Sequence, residues 1–333
     1  MQPRVTVLGS GSWGTTFAAV CAHAGSEVTL WGRDNAIVDQ INISRRNERY
    51  LQGFELPQIT ATTELEVAVA GADILVVAIP SQSAREFLTP LRNLLRPDAV
   101  AVSLMKGIEL RSGQRMSEVL AEALDIPAER VGVVSGPNLA LEIAAKQPTA
   151  TVVASAAQET AERIAAACAS SYFRPYTNTD VVGVELCGAV KNVIALAVGI
   201  AQGIGFGDNT TATLITRGLA EITRLGLELG ANEVTFAGLA GVGDLVATCT
   251  STESRNHTVG YRIGQGIAVI EAVQIEAGTA EGVKSCGSVL ALAESMRVDM
   301  PITAVVDGII NRGQSVSESI PLLLSRPRKA EGN

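Results

Sequence analysis

The sequence predicts an α/β protein, in which a doubly wound, mostly parallel sheet is followed by an all-helical C-terminal domain. Short buried strand patterns alternate with helical patterns over the first part of the chain, which is typical of βαβ units with helices on both faces of a sheet. A glycine-rich turn joins the first strand to the first helix. Beyond about Asp180 the pattern is helical and loop-like, without a convincing strand.

The first strand pattern, Arg4–Leu8, leads into G-x-G-x-x-G at Gly9, Gly11 and Gly14, and a helix follows directly. In this setting Gly9 allows the tight turn, Gly11 lets a pyrophosphate approach the backbone, and Gly14 lets helix and strand pack closely. The helix N-terminus adds amides and a positive dipole. No Gly-Lys-Ser/Thr follows, which excludes a P-loop. We therefore expect a Rossmann-like dinucleotide-binding domain.

The second strand pattern, Glu27–Leu30, ends shortly before Arg33 and Asp34. At this place an acidic residue would hold the ribose 2′-hydroxyl of NAD, whereas an arginine would suit the 2′-phosphate of NADP. The sequence offers both, with the arginine first. NADP is the expected cofactor and NAD is possible. Asp34 could instead form an exposed ion pair in a turn.

Further strand patterns complete the predicted sheet, at Ile74–Ile79, Ala99–Leu104, Val131–Ser135, Thr149–Ala154 and Phe173–Tyr176. Ligands of such sheets bind outside the carboxyl ends of the strands. Lys106 follows one of these ends and is expected to point into the crevice. A structural lysine beside a turn glycine is the alternative. We expect a dinucleotide-binding domain over 1–180, a helical substrate and catalytic domain over 181–326, and a polar tail over 327–333.

The helical pattern Gly183–Gln202 contains one lysine, Lys191, on a face of small residues that includes Gly188 and Ala195. Burial of an ammonium without a partner is costly, so an anionic or polar group is expected nearby. The alternative is a packing face from which the lysine reaches water.

Two later segments offer polar groups. Ser254, Arg255 and Asn256 open a helix, and an arginine, a hydroxyl, an amide and helix N-terminal amides together can bind phosphate. An ordinary N-cap with a solvent-facing arginine is the alternative. Asp244, in a glycine-rich turn, could hydrogen-bond a substrate hydroxyl or Lys191, or it could simply cap the turn.

Composition limits the class of protein. The net charge of −8 over 333 residues argues against nucleic acid or an acidic membrane surface as the main partner. Five widely spaced cysteines favour buried reduced thiols. Two histidines give poor support for a histidine triad or a metal site, and no metal is expected.

A strand pattern begins by Arg4, and apolar runs such as Val193–Ala201 are shorter than a membrane span. These features predict a soluble cytoplasmic protein.

The chain resembles the bacterial-type NAD(P)-dependent glycerol-3-phosphate dehydrogenases in several long, ordered motifs. These are GSGSWGT at Gly9–Thr15, MKGIE at Met105–Glu109, SGPNLALE at Ser135–Glu142, GVELCGAVKNVIALAVGI at Gly183–Ile200, GFGDNT at Gly205–Thr210, GLAGVGDL at Gly238–Leu245 and SRN at Ser254–Asn256.

The resemblance implies roles for individual residues. The lysine that matches Lys191 is the proton donor or acceptor. Substrate contacts are implied for Lys106, Gly136, Asn138, Lys191, Asp244, Ser254, Arg255 and Asn256. Cofactor contacts are implied for Ser12, Trp13, Arg33, Lys106, Ala140, Arg255 and Glu281, beside Gly9, Gly11 and Gly14 of the glycine-rich turn.

The implied reaction is the reversible reduction of dihydroxyacetone phosphate to sn-glycerol 3-phosphate, which would supply glycerophospholipid synthesis. Hydride transfer to a ketone leaves negative charge on oxygen, and Lys191 could supply both a cation and a proton. The apolar C-terminal helices could bury a homodimer face. Two rival interpretations remain. One is another two-domain hydroxyacid or keto-acid dehydrogenase, and the other is a dinucleotide-sensing regulator with an inactive site.

Overall fold

The computed structural model describes residues 2–276 and 280–319. Its eight strands are β1 (Arg4–Leu8), β2 (Glu27–Trp31), β3 (Thr60–Thr62), β4 (Ile74–Val77), β5 (Val100–Ser103), β6 (Val131–Ser135), β7 (Thr149–Ser155) and β8 (Phe173–Asn178). They form one sheet in the order β3-β2-β1-β4-β5-β6-β7-β8. Every neighbouring pair is parallel except β6 and β7, which are antiparallel. The predicted fold class is confirmed.

Helices cover both faces of the sheet. In the N-terminal half they are α1 (Ser12–His23), α2 (Asn35–Ser44), α3 (Leu65–Ala70), α4 (Ala84–Leu88), α5 (Met116–Leu124), α6 (Ala140–Ala144) and α7 (Gln158–Cys168). Because side chains alternate along a strand, Val76 joins the core cluster with Phe17 of α1. Its neighbour Leu75 joins the opposite cluster with Leu120 of α5.

Only helices follow β8 within the described residues. They are α8 (Val181–Gly203), α9 (Asp208–Glu228), α10 (Glu233–Phe236), α11 (Asp244–Thr250), α12 (Arg255–Gly264), α13 (Val269–Ile275), α14 (Glu281–Ser295) and α15 (Pro301–Arg312). A π-helical turn, Leu239–Gly243, leads directly into α11. Asp180 caps α8, while the domain division near this residue stays a prediction. The predicted tail, 327–333, lies outside the described residues.

Helix α8 forms the centre of the helical half, and α12 packs against it with very little space between the backbones. A Cβ atom on Gly199 of α8 would lie 2.1 Å from the His257 carbonyl oxygen, and one on Gly260 of α12 would lie 2.3 Å from the Leu196 carbonyl oxygen. These glycines therefore permit the contact. They hold the first turn of α12 beside the middle of α8.

One helix is long and apolar enough to pass for a membrane span. Helix α8 has 23 residues and a mean hydropathy of 1.9 in its most apolar window, so by length and composition it could cross a membrane. Of that window, 89% is buried inside the protein, as in the core helix of a globular fold. The sequence expectation counted a shorter uninterrupted run because Lys191 divides the apolar pattern.

Candidate active site

Two lysines from different halves of the chain share one buried carboxylate. Lys191 of α8 is 5% exposed and Asp244 of α11 is 1% exposed. The Lys191 Nζ donates to Asp244 Oδ1 and to the hydroxyl of Thr248. The Lys106 Nζ donates to the other oxygen, Asp244 Oδ2, over 2.9 Å, and lies 3.4 Å from the carbonyl oxygen of Gly136. Lys106 therefore reaches from the end of β5 into the helical half.

The small residues of α8 make this arrangement possible. A Cβ atom on Gly188 would lie 2.8 Å from Ser135 Oγ and 3.6 Å from Lys106 Cγ, so the glycine leaves room for the stem of Lys106 against the helix. On α11, Asp244 and Thr248 are four residues apart and so share one face. Both side chains thereby meet the ammonium of Lys191.

The environment of Lys191 lowers its pKa to about 7. Burial is the largest cause, because a buried ammonium loses its hydration. The Asp244 carboxylate opposes the change, and the positive charge of Lys106 adds to it. An amine with this pKa can give up and take back a proton near neutral pH.

The glycine-rich turn has the geometry that dinucleotide binding requires. Gly9 has φ +123°, and a Cβ atom there would lie 2.4 Å from the Ala78 carbonyl oxygen. A Cβ atom on Gly14 would lie 2.0 Å from the Gly9 carbonyl oxygen, whereas nothing lies within 4 Å of one on Gly11. Gly11 is thus the open position beside the N-terminus of α1, where a phosphate can approach.

Two further residues of α1 border this turn. Ser12 is the first residue of the helix, with Gly11 as its N-cap. The Trp13 ring packs edge-on against Phe17, with 5.6 Å between ring centroids, and its buried Nε1 has no hydrogen-bond partner in the described structure.

At the end of β2 the two candidate residues have different surroundings. Asp34 caps α2 by accepting from Ala36 N over 3.0 Å, and its other oxygen lies 3.2 Å from Arg49 Nη1. Arg33 is exposed. Asp34 is therefore already engaged by the protein, and Arg33 is available to a ligand. Strands β1 and β4 separate β2 from β5 in the sheet, so these two residues lie along the same edge as Lys106 but two strands away.

The first turn of α12 lies near Asn192, the residue that follows Lys191. Ser254 caps the helix by accepting from His257 N over 3.4 Å. The side-chain oxygen of Asn256 accepts from Gly282 N over 2.9 Å, and a Cβ atom on Gly282 would lie 2.7 Å from the Asn192 carbonyl oxygen. Helices α12, α14 and α8 thus converge next to Lys191. The half-buried Arg255 lies in this turn.

Glu281 links α14 to the sheet. Its Oε2 accepts from Ser81 Oγ, just beyond β4, over 2.8 Å. Burial raises the pKa of this carboxyl, while the bond from Ser81 and the charges of Lys284 and Arg255 oppose the rise. Glu281 therefore faces the carboxyl edge of the sheet and borders the crevice.

Asn138 and Ala140 lie after β6. The Asn138 Nδ2 donates to Thr151 Oγ1 over 3.0 Å, and its buried Oδ1 has no hydrogen-bond partner in the described structure. Ala140 begins α6, and its carbonyl oxygen accepts from Thr16 Oγ1 of α1 over 3.4 Å. Both residues lie between the glycine-rich turn and β7.

Comparison with known proteins identifies the family. Residues 4–161 match the N-terminal sequence profile of NAD-dependent glycerol-3-phosphate dehydrogenase, and residues 180–321 match its C-terminal profile. The chain belongs to this glycerol-3-phosphate dehydrogenase family. A relative from Streptomyces griseus, named as a glycerol-3-phosphate dehydrogenase that uses NAD(P)+, is 55% identical over 98% of both chains.

Solved structures give the same result for the fold. The crystal structure of glycerol-3-phosphate dehydrogenase from Coxiella burnetii is 36% identical, covers 98% of this chain and 99% of its own, and superposes with a TM-score of 0.92. The yeast enzyme is 29% identical over 97% of this chain and 99% of its own, with a TM-score of 0.82. This member of the dehydrogenase family therefore has the family fold over almost its whole length.

Three polar residues beside the candidate site received no role from sequence reasoning. Thr248 contacts Lys191, Ser81 contacts Glu281, and Asn192 adjoins the first turn of α12. Thr248 could have been found from its position one helical turn after Asp244. The described residues hold no group of three or more metal-binding side chains, and all five cysteines are buried free thiols.

Proposed function

We propose that this chain catalyses the reversible reduction of dihydroxyacetone phosphate to sn-glycerol 3-phosphate, with hydride from NAD(P)H. Family membership and the activity named for its relatives support the proposal. The observation that carries it is the buried Lys191, joined to Lys106 through Asp244 at the carboxyl edge of the sheet. A sensor of dinucleotides would need no such proton donor.

In the proposed mechanism Lys191 gives its proton to the substrate oxygen as the carbonyl is reduced. The bound nicotinamide supplies the hydride. Asp244 keeps the Lys191 ammonium in position, and Lys106 adds positive charge where the oxygen becomes negative. In the reverse direction neutral Lys191 accepts the hydroxyl proton. Gly136 and Asn138, beyond β6, border the same space and complete the proposed substrate contacts.

We assign the substrate phosphate to the first turn of α12. Ser254, Arg255 and Asn256 combine a hydroxyl, a guanidinium and an amide with the N-terminal amides of a ten-residue helix. Arg255 is suited to paired hydrogen bonds with a phosphate. A carboxylate substrate would leave this anion site without its phosphate, which favours the phosphorylated ketone over a hydroxyacid.

We assign the dinucleotide to the glycine-rich turn and the neighbouring residues, which are Gly9, Gly11, Ser12, Trp13, Gly14, Arg33, Lys106, Ala140, Arg255 and Glu281. NADP is the proposed preference, because Arg33 is exposed while Asp34 is engaged by Ala36 and Arg49. An acidic residue that already caps a helix is a poor partner for the 2′-hydroxyl of NAD.

The cellular role follows from this activity. We propose that the enzyme works in the cytoplasm as a homodimer, without a metal, and supplies glycerol 3-phosphate for glycerophospholipid synthesis. The negative charge of the chain fits a small-molecule substrate better than nucleic acid.

NADPH oxidation in the presence of dihydroxyacetone phosphate tests the activity. Wild type should turn over, and Lys191→Ala should lose on the order of 10²-fold or more in kcat, the usual contribution of a general acid. Lys146→Ala is the matched control, because that lysine lies at the end of α6, away from the cluster. Absence of turnover by wild type would refute the proposed reaction, and a Lys191→Ala rate within about threefold of wild type would refute the role of Lys191.

A further inference from the structure

We propose that Glu185 is a positioning residue for the reaction, whose carboxylate ties the helix that carries Lys191 to the loop that carries Lys106. The inference rests on the proposed function, because it concerns how the two lysines are held relative to one another. Glu185 itself does not reach the reacting atoms.

The contacts of Glu185 join the two halves of the chain. The residue lies in α8, is 7% exposed and precedes Lys191 by six positions. Its Oε1 accepts from Ser117 N over 2.7 Å, and its Oε2 accepts from Arg115 Nη1 over 2.8 Å and from the Ser117 hydroxyl. Both oxygens of this buried carboxylate thus have partners at the start of α5, about seventy residues earlier in the chain.

The segment that Glu185 holds is the closed loop after Lys106. Arg115 pairs with Ile108 in an antiparallel bridge, and Glu109 N donates to Gln114 O over 2.9 Å. Ile108 is fully buried and belongs to the same core cluster as residues of α8. The loop therefore starts two residues after Lys106 and returns to the contact with Glu185.

Helix α8 transmits this constraint to Lys191. Six residues of helix span about 9 Å, so Glu185 and Lys191 are two points on one rigid arm. Lys106 and Lys191 both contact Asp244, and the stem of Lys106 lies close to Gly188 of α8. Their separation therefore depends on the position of the loop along α8. Gln82 and Arg85 bind the loop from the sheet half, whereas its other contact with α8 is the packing of Ile108. Without the bonds to Glu185, the loop could therefore shift along α8, and Lys106 would move away from Asp244.

The chain contains a matched control for this contact. Glu221 of α9 is 1% exposed, and its carboxylate accepts from Ile302 N over 2.6 Å and from Thr303 N over 3.2 Å. It therefore caps α15 as Glu185 caps α5. Both ends of the Glu221 contact lie in the helical half, so Glu221→Gln removes a similar bond without touching the Lys106 loop.

The experiment compares wild type, Glu185→Gln and Glu221→Gln by three measurements: kcat, the KM for NADPH, and the titration of Lys191. Only five lysines are present, so NMR of lysine labelled at the ε-carbon, assigned with Lys191→Ala, reports the titration without catalysis. We expect Glu185→Gln to lower kcat about tenfold or more, with KM for NADPH within about twofold. The Lys191 titration should move to higher pH, because the nearby charge of Lys106 is withdrawn. Glu221→Gln should unfold more easily but keep the wild-type titration.

A Glu185→Gln titration and kcat that match Glu221→Gln would overturn the inference and leave Glu185 a structural residue. If Glu185→Gln does not fold, Ser117→Ala replaces it, because it removes the hydroxyl, one of the three donors to Glu185. A smaller shift of the Lys191 titration to higher pH would support the inference, and no shift would overturn it. The NMR titration needs no turnover, so it tests Glu185 even if wild type is inactive. An inactive wild type would refute the proposed reaction but would not decide the role of Glu185.

Discussion

The ammonium of Lys191 donates to the carboxylate of Asp244 in a region where both side chains are almost completely shielded from solvent. Lys106 shares the same carboxylate, so when Lys191 is protonated two cations face one anion and the cluster carries a net charge of +1. Buried charges without partners cost several kcal/mol, which favours an anion beside this cluster. A local positive site of this kind can attract a phosphorylated substrate to a chain whose total charge is −8.

The two directions of the proposed reaction should depend on pH in opposite ways. The pKa of Lys191 is about 7, reduction uses the ammonium, and oxidation uses the neutral amine. We expect kcat for reduction to fall as pH rises through about 7, and kcat for oxidation to rise over the same range. Rate profiles at saturating substrate in both directions measure this. Profiles with the same slope in both directions would contradict the role of Lys191 as the proton carrier.

Replacement of Arg33 should separate the two cofactors. Arg33→Ala removes the exposed guanidinium that we assign to the 2′-phosphate, and a charge-assisted hydrogen bond contributes about 1.5–3 kcal/mol. The KM for NADPH should therefore rise on the order of tenfold or more, with little change for NADH. Arg45→Ala, which removes an exposed arginine at the other end of α2 that is paired with Glu55, is the control. Equal losses for both cofactors would show that Arg33 does not contact the 2′-phosphate.

Replacement of Arg255 should weaken the binding of phosphorylated substrate. Arg255→Ala should raise the KM for dihydroxyacetone phosphate on the order of tenfold or more, since an arginine–phosphate contact is lost. At saturating NADPH, which removes any effect of Arg255 on cofactor binding, the slow turnover of unphosphorylated dihydroxyacetone should stay nearly the same. Arg262→Ala, on the same helix and paired with Glu276, should leave both substrates unaffected. A similar loss for both substrates in Arg255→Ala would count against the phosphate assignment.

Glu221 should make stability depend on pH. Burial raises the pKa of this carboxyl to about 7, although the hydrogen bonds from Ile302 and Thr303 act to lower it. Between its ordinary pKa and 7, the folded chain keeps a proton that the unfolded chain releases. The stability that Glu221 contributes is therefore present at acidic pH and is lost as pH rises through about 7.

The measurement is urea unfolding of wild type and Glu221→Gln from pH 4.5 to 8. The unfolding free energy of wild type, minus that of Glu221→Gln, should decrease as pH rises over this range. The expected decrease is on the order of 3 kcal/mol, at about 1.4 kcal/mol per pKa unit. A difference that stays constant over this range would show that Glu221 keeps its ordinary pKa.

Much of the fold was predictable because its signals are local. The strand patterns, the glycine-rich turn and the helix caps depend on neighbouring residues, and β6 was predicted at the bounds that the structure has. Strand β3 was missed because three residues, Thr60–Thr62, are too few for a recognisable alternation. The antiparallel pairing of β6 with β7 was also beyond the sequence pattern, since strand direction depends on the path of the connecting chain.

The sequence by itself determined the chemistry that is present at this site: a glycine-rich turn, one lysine on a face of small residues, and an arginine in the first turn of a helix. The tertiary structure decided how these groups meet. Asp244 lies 53 positions from Lys191 and 138 positions from Lys106. The α8–α12 contact and the burial that lowers the pKa of Lys191 likewise depend on glycines and helices far apart in the chain. Such contacts follow from packing, which no local pattern specifies.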